Sequence, residues 1–204
     1  MLSDLQPAIA KGPMIKESDL EAAANVGEPW TRVHRRVWDH LGAVVDLGCA
    51  SWDWSQRFFG KKRVVGVDPF ENDPAIPGVE IWQGAIAATP GVLQMKLNGH
   101  GSSTRFATTE HTTPVDALSL MDLFQRFNIT DISVLKLNVE GSEIEILMTM
   151  PERLFDRIDQ IAVSFHDFLY GDHRKTEAVL GYLRNWYDIV PIDSRYSWYL
   201  GVRR

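Results

Sequence analysis

Apolar residues recur along this chain in two rhythms. Between residues 43 and 204 the two alternate, so strands and helices follow one another. Ala43–Leu47, Arg63–Val67 and Val79–Gln83 are short apolar runs bounded by Gly, Asp or Pro, and each reads as a strand. The stretch Ser133–Gly141 is a fourth strand of a different kind. There Leu135, Leu137 and Val139 alternate with Lys136, Asn138 and Glu140, putting an ammonium, an amide and a carboxylate on one face. Such groups are costly in a sheet interior unless each finds a partner. Ile158–Phe165 supplies a fifth strand. Ile189–Asp193 and Trp198–Val202 form an antiparallel hairpin about a turn at Ser194-Arg195. Helical spacing predicts helices over Trp54–Phe59, Asp116–Asn128 and Thr176–Tyr187. Another opens at Ser142-Glu-Ile-Glu145, which fits a capping box.

Upstream, Ser18-Asp-Leu-Glu21 is a second candidate capping box, with Gly27 a plausible stop. Pro29, then Trp30, Val33, Val37 and Leu41, predict a helix ended by Gly42. Residues 1–42 are therefore expected to be a helical segment packed on a core of residues 43–204. Strands joined by helices predict an α/β fold with a doubly wound, mostly parallel sheet, closed by the C-terminal hairpin. Residues 84–114, rich in Gly, Thr, Ser and Asn, are expected to form a loop or hairpin insertion.

Composition narrows the partners. The 204 residues carry a net charge of −6, which argues against nucleic acid as the main partner. No apolar run would cross a membrane, and the amino terminus lacks the basic and apolar regions of a secretion signal. A single cysteine, Cys49, excludes an internal disulfide and suits a reducing compartment, so a cytoplasmic location is expected. The six histidines and Cys49 show no zinc-ligand spacing, and no metal is expected. Association into a homo-oligomer is left open.

Two acidic strand ends point to a nucleoside. Asp46 closes strand one and Asp68 closes strand two, 22 residues further on. A carboxylate about 20 residues beyond the first turn is where a βαβ unit meets ribose hydroxyls. The turn between them, Gly48-Cys-Ala-Ser-Trp-Asp-Trp54, has one glycine, two indoles and a further carboxylate, which suits a diphosphate poorly. A cofactor with ribose and adenine but no phosphate fits better, and the cationic sulfonium of S-adenosylmethionine tolerates nearby carboxylates.

Asp46-Leu-Gly48, Val67-Asp68-Pro69, Gly101-Ser-Ser103 and Val134-Leu-Lys-Leu-Asn-Val-Glu-Gly-Ser-Glu143 occur in an order and at separations that resemble the FkbM-type methyltransferases, which depend on S-adenosylmethionine. The resemblance covers residues 43–168, and its most specific part is Lys136–Glu143. It implies a Rossmann-like class I methyltransferase fold with seven strands, and O-methylation of a small-molecule hydroxyl on a sugar or polyketide-like metabolite. It further implies that Asp46 and Gly48 line the methionine end of the cofactor, that Asp68 meets the ribose and that Gln83, Gly84 and Ala85 lie by the adenine, with Cys49, Ala50 and Pro69 as further cofactor contacts. Two positions depart from the family pattern. Trp52 stands where a second glycine is usual, and Asn138 where an Asp is usual; an amide cannot carry negative charge.

Methyl transfer to oxygen needs the acceptor held in line and a base for its proton. His166 ends strand five at the edge where ligands bind such sheets, and an ordinary imidazole pKa of about 6.5 suits a base. Glu140 is the second candidate, as base or as orienter of His166. Lys136 is expected to pair with a buried carboxylate, and Glu143 and Glu145 fit the first turn of a helix on dipole grounds alone. His100, Ser102 and Ser103 in the insertion, and Asp167 and Tyr170 after strand five, are candidate acceptor contacts. Trp52 and Trp54 either wall the pocket or join the core. Two other readings stand beside this one. One is a degenerate fold that binds a ligand or partner without turnover, suggested by Trp52 and Asn138. The other is an RNA 2′-hydroxyl methyltransferase, suggested by Asp46–Ala50 with Trp54-Ser-Gln56 and opposed by the acidity of the chain.

Overall fold

The computed structural model of the chain describes residues 15–23, 28–96, 112–166, 171, 173–193 and 197–204. Its core is a seven-stranded sheet. In chain order the strands are β1 (Leu20–Ala22), β2 (Arg32–His34), β3 (Ala43–Leu47), β4 (Val64–Val67), β5 (Val79–Trp82), β6 (Ala85–Ile86), β7 (Gly91–Lys96), β8 (Thr112–Leu118), β9 (Ile132–Leu137), β10 (Gln160–Ser164), β11 (Tyr187–Asp193) and β12 (Trp198–Arg203). The helices are α1 (Leu120–Arg126), α2 (Glu143–Thr149), α3 (Glu152–Phe155) and α4 (Arg174–Leu183). The large sheet runs β11-β12-β10-β9-β3-β4-β5. Only β12 is antiparallel to its neighbours, which makes the C-terminal pair the expected hairpin. Strand order reverses at β3, the strand paired with both β4 and β9.

Every residue of β3, β4, β9 and β10 is buried, as interior parallel strands require. Alternate side chains divide between two cores. Val45, Leu47, Val65, Leu135, Leu137 and Val163 face the helices, where Leu123, Leu147, Phe155 and Leu180 meet them. Val44, Val64, Val134, Ala162 and Leu200 face a second layer holding Val33, Val37, Trp52, Trp54 and Phe58. Among the described residues all four α-helices belong to the first core. The second is roofed by short 3₁₀ turns and the β1–β2 pair, so the winding is one-sided where helices on both faces were expected.

The helix expected over residues 29–42 does not form. Pro29–Thr31 and Arg35–Val37 are 3₁₀ turns flanking β2, and Leu41 is fully exposed. Tertiary partners take the backbone instead. The Gln160 amide accepts from His34 N at 2.8 Å and donates to His34 O at 3.0 Å. The Arg36 guanidinium grips Asp159 through two bonds of 2.9 and 2.7 Å. The candidate capping box at Ser18 opens a 3₁₀ turn into β1, not a helix.

Trp54–Phe59 likewise yields only 3₁₀ turns, because Ser51 and Trp52 both adopt positive φ (58° and 56°) and stop any helix at its origin. Asp116–Leu118 belongs to β8, and α1 starts after Ser119. The Ser119 hydroxyl accepts from Asp122 N while the Asp122 carboxylate accepts from Ser119 N, a reciprocal cap. The expected insertion contains β6, β7 and the start of β8, which pair as a three-stranded sheet in the order β6-β8-β7.

Candidate active site

The carboxyl ends of β3, β4 and β9 open on one cavity of about 540 Å³. Its floor and walls come from Gly48–Ser51 after β3, Asp68–Glu71 after β4, Gly84–Ile86 after β5 and Asn138–Glu140 after β9. Leu93 and Met95 of β7 add an apolar wall, and Trp30 reaches in from the N-terminal segment, its ring 5.8 Å from that of Trp198. An open α/β sheet binds ligands at this place, beyond the strand tips where the order reverses.

The tips of β3 and β9 touch directly. Gly48 has φ +76°, and a Cβ there would lie 2.0 Å from the Asn138 carbonyl oxygen. Only glycine satisfies both the conformation and the approach. Asp46 and Lys136 sit opposite each other in register on β3 and β9. Lys136 Nζ lies 2.8 Å from Asp46 Oδ1 as an ion pair, and also donates to the Gly48 carbonyl. The buried carboxylate expected for Lys136 is thus Asp46. Both are almost wholly buried, and Asp46 Oδ2 has no hydrogen-bond partner among the described residues.

Asp68 accepts from the Phe70 and Glu71 amides through Oδ1, at 2.9 and 3.2 Å. Burial raises its pKa and these two bonds only partly restrain the rise. Its Oδ2 has no hydrogen bond among the described residues. The Cys49 thiol lines the cavity, but burial, reinforced by Asp46, pushes its pKa far up, so it is an inert thiol.

Trp52 leaves the cavity open. Its indole lies on Gly66 of β4, where a Cβ would come within 2.3 Å of the ring, and packs edge-on against Phe59 at 5.6 Å. The glycine that the turn lacks at Trp52 is matched by one in the neighbouring strand. Trp54 both joins the core and lines the cavity, with its indole N–H unpartnered among the described residues.

Of the cofactor candidates, Asp46, Gly48, Cys49, Ala50, Asp68, Pro69, Gly84 and Ala85 line this one cavity. Gln83 does not; its side chain is exposed and donates to the Glu71 carbonyl at 3.1 Å. Of the catalytic candidates, Lys136, Asn138 and Glu140 line it and His166 does not. His166 lies behind the wall, with Nδ1 2.8 Å from Glu143 Oε1 and Nε2 3.4 Å from Glu140 Oε2. Burial pulls its pKa down, but the hydrogen bonds and charges of Glu140 and Glu143 outweigh burial and raise it to about 10. The expectation of an ordinary, neutral imidazole is therefore corrected. His100, Ser102, Ser103, Asp167 and Tyr170 lie outside the described residues.

Sequence reasoning passed over Trp30, Glu71 and the β7 wall, and explained Glu143 by the helix dipole alone. Glu143 is 1% exposed. It accepts from Val139 N at 2.9 Å and Gly141 N at 3.1 Å, while Ser142 makes no side-chain cap. Acids this close to a polar strand tip were a readable signal, but only the packing of β10 shows what Glu143 meets.

Among the described residues five carboxylates (Asp46, Asp53, Asp68, Glu71 and Glu140) line the cavity against one ammonium, Lys136, itself paired. A phosphate would meet repulsion here, whereas a neutral nucleoside carrying a cation would not. The residues present fit S-adenosylmethionine on that ground, with Asp46 and Asp68 each offering an oxygen that accepts no hydrogen bond among the described residues.

No curated protein matches the chain. A solved structure of methyltransferase FkbM from Methylobacillus flagellatus KT resembles it with a TM-score of 0.51 at 15% identity, over 79% of this chain. This chain spans 43% of that one, so the likeness is one of fold. The methyltransferase FkbM domain profile matches residues 22–189, which takes in every wall of the cavity. With most of its length inside that match, the chain belongs to the FkbM methyltransferase family.

Proposed function

We propose that this protein is an S-adenosylmethionine-dependent O-methyltransferase acting on a hydroxyl of a small molecule, a sugar or polyketide-like metabolite. One observation carries the reading: Asp46 and Asp68 open on a single phosphate-averse cavity, each with a carboxylate oxygen that has no hydrogen bond among the described residues. The cofactor, when bound, supplies an electrophilic methyl on a sulfonium. Asp46 would accept from its ammonium, with Lys136 holding the carboxylate in place. Asp68 would accept from the ribose hydroxyls, its other oxygen already fixed by two amides. Glu140, on the wall and not behind it, would take the proton from the acceptor hydroxyl. The apolar side formed by Ile86, Leu93 and Met95 would seat the carbon frame of the acceptor and exclude water.

The acidic lining also argues against an RNA backbone as the acceptor. Because Trp52 is accommodated by Gly66, it gives no reason to regard the site as blocked. The single buried cysteine suits a cytoplasmic protein.

Calorimetry with S-adenosylmethionine and S-adenosylhomocysteine tests the reading. Each is expected to bind, and at a hundred-fold excess over Kd to stabilise the fold by about 2.7 kcal/mol. Asp68→Ala is expected to weaken binding roughly 10- to 100-fold through the lost charged hydrogen bonds. Absence of binding by both compounds at millimolar concentration would overturn the assignment.

A further inference from the structure

Glu140 sits in a backbone that side chains avoid. Its φ is +55°, and Gly141 follows at +110°. A strained residue at a cavity wall persists only where its surroundings hold it. Here they hold it from three directions. The Glu143 carboxylate accepts from Val139 N and Gly141 N, the amides on either side of Glu140. The same carboxylate is 2.8 Å from His166 Nδ1, and His166 Nε2 lies 3.4 Å from the Glu140 carboxylate. The ring closes: Glu143 fixes the backbone around Glu140, and through His166 it fixes the side chain.

We propose that Glu143 and His166 form a positioning pair, in which the His166 ring bridges the two carboxylates and holds Glu140 aimed at the acceptor. A neutral imidazole has one N–H, and so can donate to one of these carboxylates but not to both. Each of the two contacts needs one proton, and the imidazole, more basic than a carboxylate, is the group that carries both. Glu140 and Glu143 are the charged groups facing the ring among the described residues, and their combined effect exceeds the penalty of burial. With both nitrogens protonated and engaged, His166 has no lone pair with which to take a proton at neutral pH. Glu140 lines the cavity, and its side chain, 23% exposed, can pass the proton on to solvent. What Glu140 does rests on the methyl-transfer reading; the state of the pair does not.

The pair is tested in the wild-type protein, without ligand, by nitrogen NMR of histidine-labelled material. At pH 8 both His166 ring nitrogens should show imidazolium shifts, and Glu140→Gln should lower the titration midpoint by a unit or more. A neutral His166 ring at pH 8, or a midpoint that Glu140→Gln leaves in place, overturns the proposal. The positioning role has its own readout in His166→Gln. Amide exchange at Val139 and Gly141 should accelerate, and kcat for methyl transfer should fall at least 10-fold with KM for the cofactor unchanged. Unaltered exchange and rate in that variant would equally dismiss it. Failure of S-adenosylhomocysteine to bind the wild-type protein would sink the methyl-transfer reading and leave the NMR result standing.

Discussion

Gly48 is where single-residue chemistry decides most. Its positive φ and the Asn138 carbonyl 2.0 Å from a notional Cβ leave no route for a side chain. Gly48→Ala is expected to cost about 3 kcal/mol or more, because the β3 and β9 tips must part. Urea denaturation measures this, and a loss under 1 kcal/mol would show that the tips can give way. The neighbouring Asp46–Lys136 pair illustrates what was legible at this scale. Alternation in Ser133–Gly141 placed Lys136 on an interior face and demanded a carboxylate. The sequence offered several, and only the in-register pairing of β3 with β9 selects Asp46.

At the scale of elements, the central strands read cleanly because burial on both faces leaves an uninterrupted apolar run. The segment from Pro29 to Gly42 read wrongly for an equally physical reason. Trp30, Val33 and Val37 are indeed turned inward, at spacings that a helix shares with a turn–strand–turn path. What separates the two is where the backbone finds its partners, and here the partner is Gln160, 126 residues away in sequence from His34. Gln160→Leu should strip both bonds from His34, leaving a part-buried amide and carbonyl without these partners at about 1–3 kcal/mol together. Limited proteolysis should then cut the segment around residues 15–37 ahead of the sheet. Equal protection in variant and wild type would show that the Arg36–Asp159 pair suffices to hold it.

For the whole molecule, buried ionisable groups tie stability to pH. The folded-state pKa of His166, about 10, exceeds its ordinary value, so its contribution is complete below about pH 6.5 and is lost as pH rises towards 10. Within that window the folded state holds the extra proton, and stability should fall by about 1.4 kcal/mol per pH unit. Asp68, also raised, acts in the same sense at acid pH. His34, whose pKa burial lowers, acts in the opposite sense up to its ordinary value. Thermal denaturation between pH 6.5 and 10 checks the sign. His166→Gln should flatten the curve, and a wild-type protein growing more stable over that range would contradict the charged ring.

The sequence by itself determined the strand–helix alternation, the acidic strand ends at Asp46 and Asp68, the single-glycine turn and the polar tip of β9. All of these are carried by local period and residue type, which short-range sterics and solvation translate directly into structure. Tertiary structure alone decided that Trp52 would lie on Gly66, that Trp30 and the β7 wall would close the cavity, and that Glu143 would reach His166. Each of those outcomes depends on groups 14 or more residues apart meeting in a closely packed interior, a condition that no local pattern records.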